Sequence, residues 1–461
     1  MTAPPVPVEG ARVGVLGLAR SGIAAARLLA REGARVYASD VSSSSAAAAA
    51  AAELSGEGIE AVAGGHDAER LSGCQWLVTS PGIPPDAPVL VDATSSDRPV
   101  YAELEVAAWF ARAPIAAVTG TNGKTTTTAL LGAIARGAGL DASVAGNIGR
   151  PFARAVLEDP APEWFVLEVS SFQLAGIATF RPRIAVVLNL TADHLDRYPD
   201  MDAYRRDKER IAENQGPGDD LCLNAEDPAL ATFAAGRPPR RHTFHRLGEV
   251  VSGATARGGA IALVGLPDAG PVLPVERLVL PGAHNLQNAL AATVAASIMG
   301  VDRAAIAQGL TAFTGVPHRL ETVAEVDGVR FVNDSKATNV DSAAVALEAF
   351  DAPLVVIMGG RHKGSSYAPL ASRLGRTRTV LAIGEAAPLI ERELGKVVPV
   401  ERVGTLDRAV AQARAVARPG DVVLLAPACS SYDQFESFEH RGARFRELVG
   451  GTNAVPPAGK P

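Results

Sequence analysis

The chain has 461 residues, 47% of them hydrophobic and 20% charged, which is a globular composition too long for one compact core. The formal net charge of −6 gives no support for nucleic-acid binding, and no run of about 18 apolar residues predicts a membrane span. The N-terminus lacks the basic start of a signal peptide, and the three scattered cysteines favour a reducing compartment. We therefore expect a cytoplasmic protein of two or three domains that binds no nucleic acid and has no membrane span.

The first segment opens with a βαβ unit: a strand from Arg12, a glycine turn, a helical run to Gly33 and a second strand that ends at Asp40. The glycines are spaced GxxGxxxxG and do not match the dinucleotide-binding pattern GxGxxG. A glycine turn ahead of a helix still favours a phosphate ligand, because backbone N–H groups at a helix N-terminus attract anions. A tight turn that binds no ligand is the alternative.

Two further features complete this segment. Residues 42–52 form a Ser/Ala tract that is either a helix or a solvated loop, and the residues do not decide between the two. Residues 76–79 predict a strand that runs into a turn at 80–85, and ligands bind at such strand ends in open α/β sheets. We place the first domain boundary near residues 103–113.

The second segment carries the loop TGTNGKT at residues 119–125, between an apolar strand predicted at 115–119 and a predicted helix. Glycines let successive N–H groups point at phosphate oxygens, Lys124 reaches the terminal phosphates, and the Thr125 hydroxyl ligates Mg²⁺. The usual pattern has glycine at position 118, where this chain has valine, so the loop is a shorter variant. Its place between strand and helix predicts nucleoside triphosphate binding.

Polar residues follow the next two predicted strands, at residues 164–169 and 184–190. Glu168 lies at the end of the first strand, where it is placed to ligate Mg²⁺, although an ordinary surface carboxylate is the alternative. His194 follows the second strand, and a lone histidine is more often structural than a ligand. Lys208 lies in a predicted polar helix, and the residues alone favour a solvated face for it.

The third segment follows a predicted helix at 285–299 and a turn near 315–317, and its strands alternate with helical runs, which predicts a doubly wound α/β sheet. Three polar loops follow strands of this sheet: NDSKATN at 333–339, GGRHKG at 359–364 and PACSSYDQF at 427–435. Because lysine, serine, threonine and asparagine side chains meet at one sheet edge, the pattern predicts an anion site there.

Lysine is rare in this chain, and only six of the 44 basic residues are lysine. A lysine amine can be neutralised or modified, whereas a guanidinium cannot, so we expect lysine to be kept where that chemistry is needed. Chance drift is the alternative. Four of the six lysines lie in the motifs described above: Lys124, Lys208, Lys336 and Lys363.

Taken together, these motifs resemble those of the Mur ligase family. NDSKATN is the most specific, and it resembles members that add D-glutamate to UDP-N-acetylmuramoyl-L-alanine rather than relatives that add other amino acids. The matching stretches span nearly the whole chain: TGTNGKTT at 119–126, GNIG at 146–149, LEVSSFQL at 167–174, DHLDRY at 193–198, GAHNLQN at 282–288, HRLE at 318–321, NDSKATN at 333–339 and PACSSYDQF at 427–435.

The resemblance implies an α/β fold of three domains. It places an N-terminal Rossmann-like, UDP-substrate-binding domain at residues 1–105, a central P-loop ATPase domain with a mixed sheet at 106–315, and a C-terminal Rossmann-like, D-glutamate-binding domain at 316–461. The implied activity is ATP-dependent ligation through an acyl phosphate in peptidoglycan precursor synthesis. We expect the enzyme to be a monomer.

The resemblance also implies roles for particular residues. The expected catalytic residues are Lys124, Glu168, His194 and Lys208, and the expected ligands of two Mg²⁺ ions are Thr125, Glu168, His194 and Lys208, the last as a carbamate. The expected ATP-binding residues are Gly120, Thr121, Asn122, Gly123, Lys124, Thr125, Thr126, Asn285, Asn288, Arg319 and Asp334. The expected UDP-substrate-binding residues are Leu16, Asp40, Val41, Ser80, Pro81, Gly82 and Asn147. The expected D-glutamate-binding residues are Lys336, Thr338, Lys363, Ser431 and Phe438.

The chain departs from the family pattern at three places. Arg361 and His362 stand where members often carry an acidic residue before the basic one. Tyr432 stands where some members have leucine, and Val41 stands where others offer a hydroxyl group. These departures affect the expected D-glutamate and uracil pockets.

Three other functions compete with a Mur ligase. A folylpolyglutamate synthase-like ligase shares the ATPase loop and adds glutamate, but it needs no UDP domain, whereas over a hundred residues precede the loop here. An NAD-dependent dehydrogenase is suggested by the opening βαβ unit, and the glycine spacing and the second phosphate loop count against it. A non-catalytic nucleotide sensor is expected to have lost Lys208 or Glu168, and this chain retains both.

Overall fold

The structure is a computed structural model that describes residues 3–147, 149–193, 197–280, 282–362 and 364–450. The chain divides into two compact units, Met1–Phe313 and Thr314–Pro461. Within the described part of the chain, no helix is long and apolar enough to cross a membrane. Each unit is an α/β structure built on parallel strands.

The N-terminal part of the first unit is a parallel sheet covered by helices on both faces. Its elements are β1 (Arg12–Leu16), α1 (Arg20–Arg31), β2 (Arg35–Asp40), α2 (Ser45–Gly56), β3 (Glu60–Ala63), α3 (Ala68–Ser72), β4 (Trp76–Thr79), α4 (Pro88–Ser95), β5 (Val100–Ala102) and α5 (Glu103–Phe110). The strand order is β3-β2-β1-β4-β5, with α1, α2 and α5 packed on one face and α3 and α4 on the other. The predicted βαβ unit is confirmed.

The Ser/Ala tract that the residues left undecided forms helix α2. Alanine has the highest helix propensity, and the Ser44 hydroxyl caps the helix by accepting a hydrogen bond from the Ala47 N–H at 3.2 Å. Ala47, Ala50, Ala51 and Leu54 are buried, so helical periodicity gives this tract an apolar face.

The rest of the first unit is a mixed sheet. Its elements are β6 (Ile115–Thr119), α6 (Lys124–Gly137), β7 (Ala142–Gly146), α7 (Phe152–Glu158), β8 (Trp164–Glu168), α8 (Ser171–Ala175), β9 (Ile184–Val187), α9 (Met201–Glu209), β10 (Asp220–Asn224), β11 (Arg240–His245), β12 (Gly253–Thr255), β13 (Ala260–Val264), β14 (Gly270–Pro274), α10 (Ala283–Ile298) and α11 (Arg303–Ala312). The strand order is β14-β13-β12-β11-β10-β9-β6-β8-β7, and the β12–β13 and β13–β14 pairs are antiparallel. Helices α5, α7, α8 and α9 cover one face, and α6, α10 and α11 cover the other.

The parallel register of this sheet determines which side chains meet at its carboxyl edge. Val118 of β6 pairs with Glu168 of β8, and Thr119 of β6 pairs with Val187 of β9. The loops that follow these three strands therefore begin side by side, which is where ligands bind in open α/β sheets.

The second unit is a doubly wound sheet, as the sequence predicts for this segment. Its elements are β15 (Glu321–Val326), β16 (Val329–Asn333), α12 (Val340–Glu348), β17 (Leu354–Gly359), β18 (Thr377–Ile383), α13 (Ala387–Leu394), β19 (Val400–Gly404), α14 (Leu406–Val416), β20 (Val422–Leu425) and α15 (Phe438–Gly450). The strand order is β15-β16-β20-β17-β18-β19, and β15 runs antiparallel to β16. Helices α12 and α13 pack on one face, and α14 and α15 on the other.

All three cysteines of the chain are buried. Cys74 lies in the N-terminal sheet region, Cys222 in β10, and Cys429 after β20. Burial raises the pKa of the Cys74 and Cys222 thiols above the ordinary value, so little reactive thiolate forms at neutral pH.

Candidate functional site

The phosphate loop connects β6 to α6 and has a backbone that requires glycine. Gly123 has a φ of +84° at the N-terminus of α6, and Gly120 has a φ of +147°. A Cβ atom at Gly123 would lie 2.4 Å from the Oδ1 atom of Asn288. Any side chain at this position would therefore be both strained and obstructed.

Asn189, which follows β9, holds the phosphate loop in place. Its Oδ1 accepts a hydrogen bond from the Asn122 N–H at 2.8 Å, and its Nδ2 donates to the Asn122 carbonyl at 3.2 Å. The Asn189 carbonyl accepts a further bond from the Thr121 N–H at 3.0 Å. Asn189 was not among the expected site residues, although its place in a polar cluster directly after a predicted strand is a usable signal.

Two lysines converge on the carbonyl groups of the phosphate loop. Lys124 Nζ donates to the carbonyl oxygens of Gly120 at 2.9 Å and Thr121 at 2.7 Å. Lys208 Nζ donates to the same Gly120 oxygen at 2.9 Å, from α9. The two lysine side chains therefore share an acceptor, which brings two ionisable amino groups together beside the loop.

Lys208 is 1% exposed, so the interpretation of its helix as a solvated face is wrong for this residue. Burial lowers the pKa of the Lys208 ammonium well below its ordinary value, and the positive charge of Lys124 lowers it further. The carboxylates of Asp193, Glu168 and Asp207 act in the opposite direction. A neutral amine is accordingly more accessible here than at a solvated lysine.

Glu168 ends β8 and is 3% exposed, so the alternative of an ordinary surface carboxylate is also wrong. Its Oε1 accepts a hydrogen bond from Asn147 Nδ2 at 3.0 Å, and its carbonyl accepts one from the Asn147 N–H at 2.8 Å. Asn147, expected near the UDP substrate, thus lies against an expected metal ligand.

The structure describes three of the four expected metal ligands. Thr125 is 3% exposed in the first turn of α6, and Glu168 and Lys208 lie at the same sheet edge, whereas His194 lies outside the described residues. In the described ranges, no cluster of three or more histidine, cysteine or carboxylate side chains is arranged to hold a metal ion.

The expected adenine-side residues of the first unit lie on α10. Asn288 Oδ1 accepts from Thr127 Oγ1 at 3.2 Å, and Asn288 Nδ2 donates to Asn285 Oδ1 at 3.3 Å. Both asparagines are buried, and Thr126, which is 3% exposed, belongs to the same α6 turn as Thr127. Asn285 and Asn288 thus belong to the same region as the phosphate loop.

Asp40 lies at the carboxyl end of β2, and both of its oxygens are used. Oδ2 accepts from the Leu18 N–H at 2.7 Å, and Oδ1 accepts from the Ser42 N–H at 2.8 Å. The Leu16 side chain is fully buried, so only its backbone can contact a ligand, whereas Val41 is 70% exposed. These residues place a carboxylate and backbone groups at the first sheet edge.

The turn after β4 contains the remaining residues expected to bind the UDP substrate: Ser80, Pro81 and Gly82. The Ser80 hydroxyl is buried and has no hydrogen-bond partner among the residues that the structure describes. A cavity of about 320 Å³ begins at this turn and extends to the central part of the unit, with Ser80, Pro81, Leu90, Phe172, Arg197 and Tyr198 in its lining.

Arg197 connects this turn to the central sheet region and was not among the expected residues. Its Nη1 donates to the Pro81 carbonyl at 3.0 Å, and its Nη2 donates to the Ile83 carbonyl at 2.7 Å. The guanidinium carbon lies 4.2 Å from the Phe172 ring centre, a cation–π distance. Arg197 lies within DHLDRY, so the motif itself was the signal.

In the second unit, Asp334 follows β16 and holds the turn that carries Arg319. Asp334 Oδ1 accepts from the Leu320 N–H at 3.2 Å, and His318 and Leu320 have φ values of +64° and +43°. Burial raises the pKa of Asp334 to about 6, and the Arg319 charge opposes the increase. Arg319 and Asp334 are thus neighbours within this unit.

The expected D-glutamate residues of the second unit lie on loops after β16 and β20 and at the start of α15. Lys336 Nζ lies 5.7 Å from the Phe438 ring centre, and the Thr338 N–H donates to the Lys336 carbonyl at 2.8 Å. Ser431 is 2% exposed, and Lys363 lies outside the described residues. Lys336 and Phe438 are in contact range, and Ser431 belongs to the neighbouring strand end.

Comparison with known proteins identifies the family. Family profiles described as "Mur ligase MurD-like, N-terminal domain", "Mur ligase middle domain" and "Mur ligase, glutamate ligase domain" match residues 11–102, 118–296 and 318–429. The chain is 47% identical to the UDP-N-acetylmuramoylalanine–D-glutamate ligase of Salinibacter ruber, with 96% of this chain and 99% of that protein covered. The chain belongs to the Mur ligase family. The ligase of the same name from Anaeromyxobacter dehalogenans is also 47% identical, with 97% and 99% covered.

Solved Mur ligase structures have the same fold at much lower sequence identity. UDP-N-acetylmuramate-alanine ligase from Thermotoga maritima aligns with a TM-score of 0.61 at 20% identity, covering 96% of this chain and 100% of that one. A pseudomurein peptide ligase type C from Methanothermus fervidus aligns with a TM-score of 0.58 at 20% identity, covering 96% and 99%. The three-domain α/β architecture of Mur ligases is therefore that of this chain.

Proposed function

We propose that the protein is an ATP-dependent ligase that adds D-glutamate to UDP-N-acetylmuramoyl-L-alanine in peptidoglycan precursor synthesis, giving ADP and phosphate. The observation that carries this proposal is the 47% identity, over 96% of the chain, to the Salinibacter ruber protein that bears the name of this ligase. The loop NDSKATN at 333–339 supports D-glutamate as the added amino acid.

The reaction proceeds in two steps. The terminal carboxylate of UDP-N-acetylmuramoyl-L-alanine attacks the γ-phosphorus of ATP, which forms an acyl phosphate and releases ADP. The amine of D-glutamate then attacks the acyl carbon, and the tetrahedral intermediate expels phosphate while the nitrogen loses a proton. No bond to the protein forms, so the chain contributes positioning and charge neutralisation.

The phosphate loop, Gly120 to Thr126, binds the triphosphate. Its N–H groups lie at the positive end of the α6 dipole, and Lys124 adds a point charge beside them. Asn285, Asn288, Arg319 and Asp334 bind the rest of the nucleotide. The contacts of Asn288 with the α6 turn support this assignment for the first unit.

Thr125, Glu168, His194 and Lys208 would hold Mg²⁺ at two sites, with Lys208 as a carbamate. When bound, magnesium supplies positive charge against the phosphate oxygens. The buried amine of Lys208 fits this role, because its lowered pKa increases the fraction of neutral amine, the form that combines with CO₂. The carbamate would convert a cation into an oxygen ligand.

Three domains divide the substrates between them in this proposal. Residues 1–105, a Rossmann-like domain, bind the UDP substrate through Leu16, Asp40, Val41, Ser80, Pro81 and Gly82, with Asn147 near the muramoyl group. Residues 106–315 are the P-loop ATPase domain, and residues 316–461, Rossmann-like, bind D-glutamate through Lys336, Thr338, Lys363, Ser431 and Phe438. We propose that the enzyme acts as a monomer in the cytoplasm.

The experiment that tests the proposal measures phosphate release from ATP with UDP-N-acetylmuramoyl-L-alanine and one amino acid at a time. We expect turnover with D-glutamate and none above background with L-glutamate, L-alanine or diaminopimelate. The Lys124→Met variant, which removes the phosphate-loop charge, serves as the inactive control. Equal turnover with L-glutamate, or none with D-glutamate, would overturn the assignment.

A further inference from the structure

A buried arginine lies beneath the loops of the second unit that follow β16, β17 and β20. Arg441, on α15, is 1% exposed, although it belongs to a helix rich in charged residues. These three strands are neighbours in the order β16-β20-β17, so their carboxyl ends meet at one edge. Arg441 contacts all three of the loops that leave this edge.

The guanidinium makes its hydrogen bonds almost entirely to backbone carbonyl groups. Nη2 donates to Ser335 O at 2.9 Å and Cys429 O at 3.2 Å, and Nη1 donates to Ser430 O at 3.3 Å and Gly359 O at 3.5 Å. Nε donates to Ser335 Oγ at 3.0 Å. The planar fork of donors reaches acceptors on the loops after β16 and β20 and on the last residue of β17 at once.

The residues that Arg441 holds are direct chain neighbours of the proposed amino-acid pocket. Ser335 precedes Lys336, and Ser430 precedes Ser431. The Ser335 hydroxyl also donates to the Phe438 carbonyl at 2.8 Å, which connects the β16 loop to the start of α15. A displacement of the guanidinium would therefore move residues of that pocket together.

Arg441 also keeps a positive charge under this edge. Among the residues that the structure describes, none forms an ion pair with it. Burial lowers its pKa to about 10, so the guanidinium remains protonated at neutral pH. The carbonyl acceptors carry no formal charge, and the nearby Asp433 carboxylate, in the loop after β20, offsets only part of the positive charge. The remainder favours an anionic ligand at the loops above.

We propose that Arg441 is the positioning residue of the acceptor amino-acid pocket, where its guanidinium fixes the loops after β16, β17 and β20 in the arrangement that binds a dicarboxylate. This inference rests on the proposed function, in which the second unit binds D-glutamate. Arg441 touches no substrate in this role and acts through Ser335, Gly359 and Ser430. It is therefore distinct from the residues proposed above for the pocket itself.

The test compares KM values in full-length variants. Arg441→Lys keeps the charge but loses the fork, and we expect it to raise the KM for D-glutamate about tenfold while the KM values for ATP and UDP-N-acetylmuramoyl-L-alanine change less than about twofold. Ser335→Ala removes the Nε acceptor and the bond to Phe438, and we expect a rise of about threefold in the same KM alone.

Arg414→Lys is the matched control. Arg414 Nη2 donates to the carbonyls of Val449 at 2.8 Å and Leu448 at 3.3 Å, at the opposite end of α15. We expect this variant to lower thermal stability without changing any of the three KM values. It therefore separates a loss of stability from a loss of loop positioning.

Each outcome decides the inference. The inference would be overturned if Arg441→Lys changed all three KM values equally, or if it left them unchanged and only reduced stability. If Arg441→Lys does not fold, the KM values of Ser335→Ala decide by the same criterion. If the unaltered enzyme uses another amino acid instead of D-glutamate, the proposed function fails. The KM for that amino acid then becomes the quantity that tests Arg441.

Discussion

Two buried cations, one in each unit, show how the same degree of burial leads to different chemistry. Lys208 and Arg441 are each 1% exposed. Within the described residues, Lys208 donates to one backbone carbonyl, whereas Arg441 donates to four carbonyls and a hydroxyl. Burial lowers the pKa of Lys208 well below its ordinary value and that of Arg441 to about 10.

The difference follows from the two functional groups. An amine at the end of a flexible stem can lose its proton and react, whereas a guanidinium stays charged and satisfies several acceptors in one plane. Lys208 is thus suited to a chemical change, and Arg441 to a fixed charge that organises backbone. This contrast gives a physical reason why a chain in which only six of the 44 basic residues are lysine has a lysine, and not an arginine, at position 208.

The largest effect that would test this contrast is expected for Lys208→Arg. Arginine keeps the positive charge but supplies no neutral amine, so we expect kcat/KM for phosphate release to fall by about 10³-fold, or about 4 kcal/mol of transition-state stabilisation. Lys396→Arg, at an exposed position of the second unit, is the matched control and should retain full activity. A fully active Lys208→Arg enzyme would remove the reactive role from Lys208.

A second comparison replaces each buried cation by methionine and measures the free energy of unfolding in denaturant. Arg441→Met removes a donor from four carbonyls, of which Ser430 O keeps the Arg361 N–H at 2.9 Å, and we expect a loss of about 3 kcal/mol. Lys208→Met removes a desolvated amino group, whose burial cost offsets the lost hydrogen bond, so we expect a change within about 1 kcal/mol. Equal losses in the two variants would show that the number of acceptors does not distinguish the sites.

A smaller effect is expected at Glu103, a buried group whose charge varies near neutral pH. It begins α5, is 1% exposed, and accepts a hydrogen bond from the Ala153 N–H at 2.5 Å. Burial raises its pKa from 4.5 to about 7, although the N–H groups of Ala153 and Phe152 lower it. The folded state therefore binds a proton more tightly than the unfolded state does.

The stability that Glu103 contributes is accordingly complete below pH 4.5 and is lost as the pH rises through 7. In the unaltered protein we expect the Glu103 contribution to the free energy of unfolding to fall by about 2 kcal/mol between about pH 5 and pH 8. The Glu103→Gln variant should lack this decrease. The exposed Glu276→Gln variant should leave that dependence unchanged. Parallel pH profiles for the unaltered protein and Glu103→Gln would contradict the pKa shift.

The parts of the fold with strong local signals were predictable from sequence. The opening βαβ unit, the strand–loop–helix arrangement at 115–137 and the main strands of the second unit have apolar runs bounded by glycine or polar turns. The outer strands of the mixed sheet were not predicted. Arg240–His245 is largely polar and Gly253–Thr255 has three residues, so neither gives a periodic apolar pattern.

The site was predictable where its residues belong to one segment, and less so where it depends on distant contacts. The phosphate loop follows β6 and Glu168 is the last residue of β8, so their position at a sheet edge follows from local sequence. The buried Lys208 side chain donates to the carbonyl of Gly120, which is 88 positions away in the sequence. The buried Arg441 side chain donates to Ser335, which is 106 positions away. Nothing in a polar helix reveals such a partner, so only the family resemblance pointed to Lys208 and no sequence signal pointed to Arg441.

The burial of all three cysteines also makes the chain suited to fluorescence measurements. A maleimide dye reacts with exposed thiolate, and Cys74, Cys222 and Cys429 are shielded from it. Cysteines introduced at Val251, which is 92% exposed in the first unit, and at Lys396 in the second would therefore be labelled selectively. Energy transfer between the two dyes would then report the separation of the units during turnover, without removal of any native thiol.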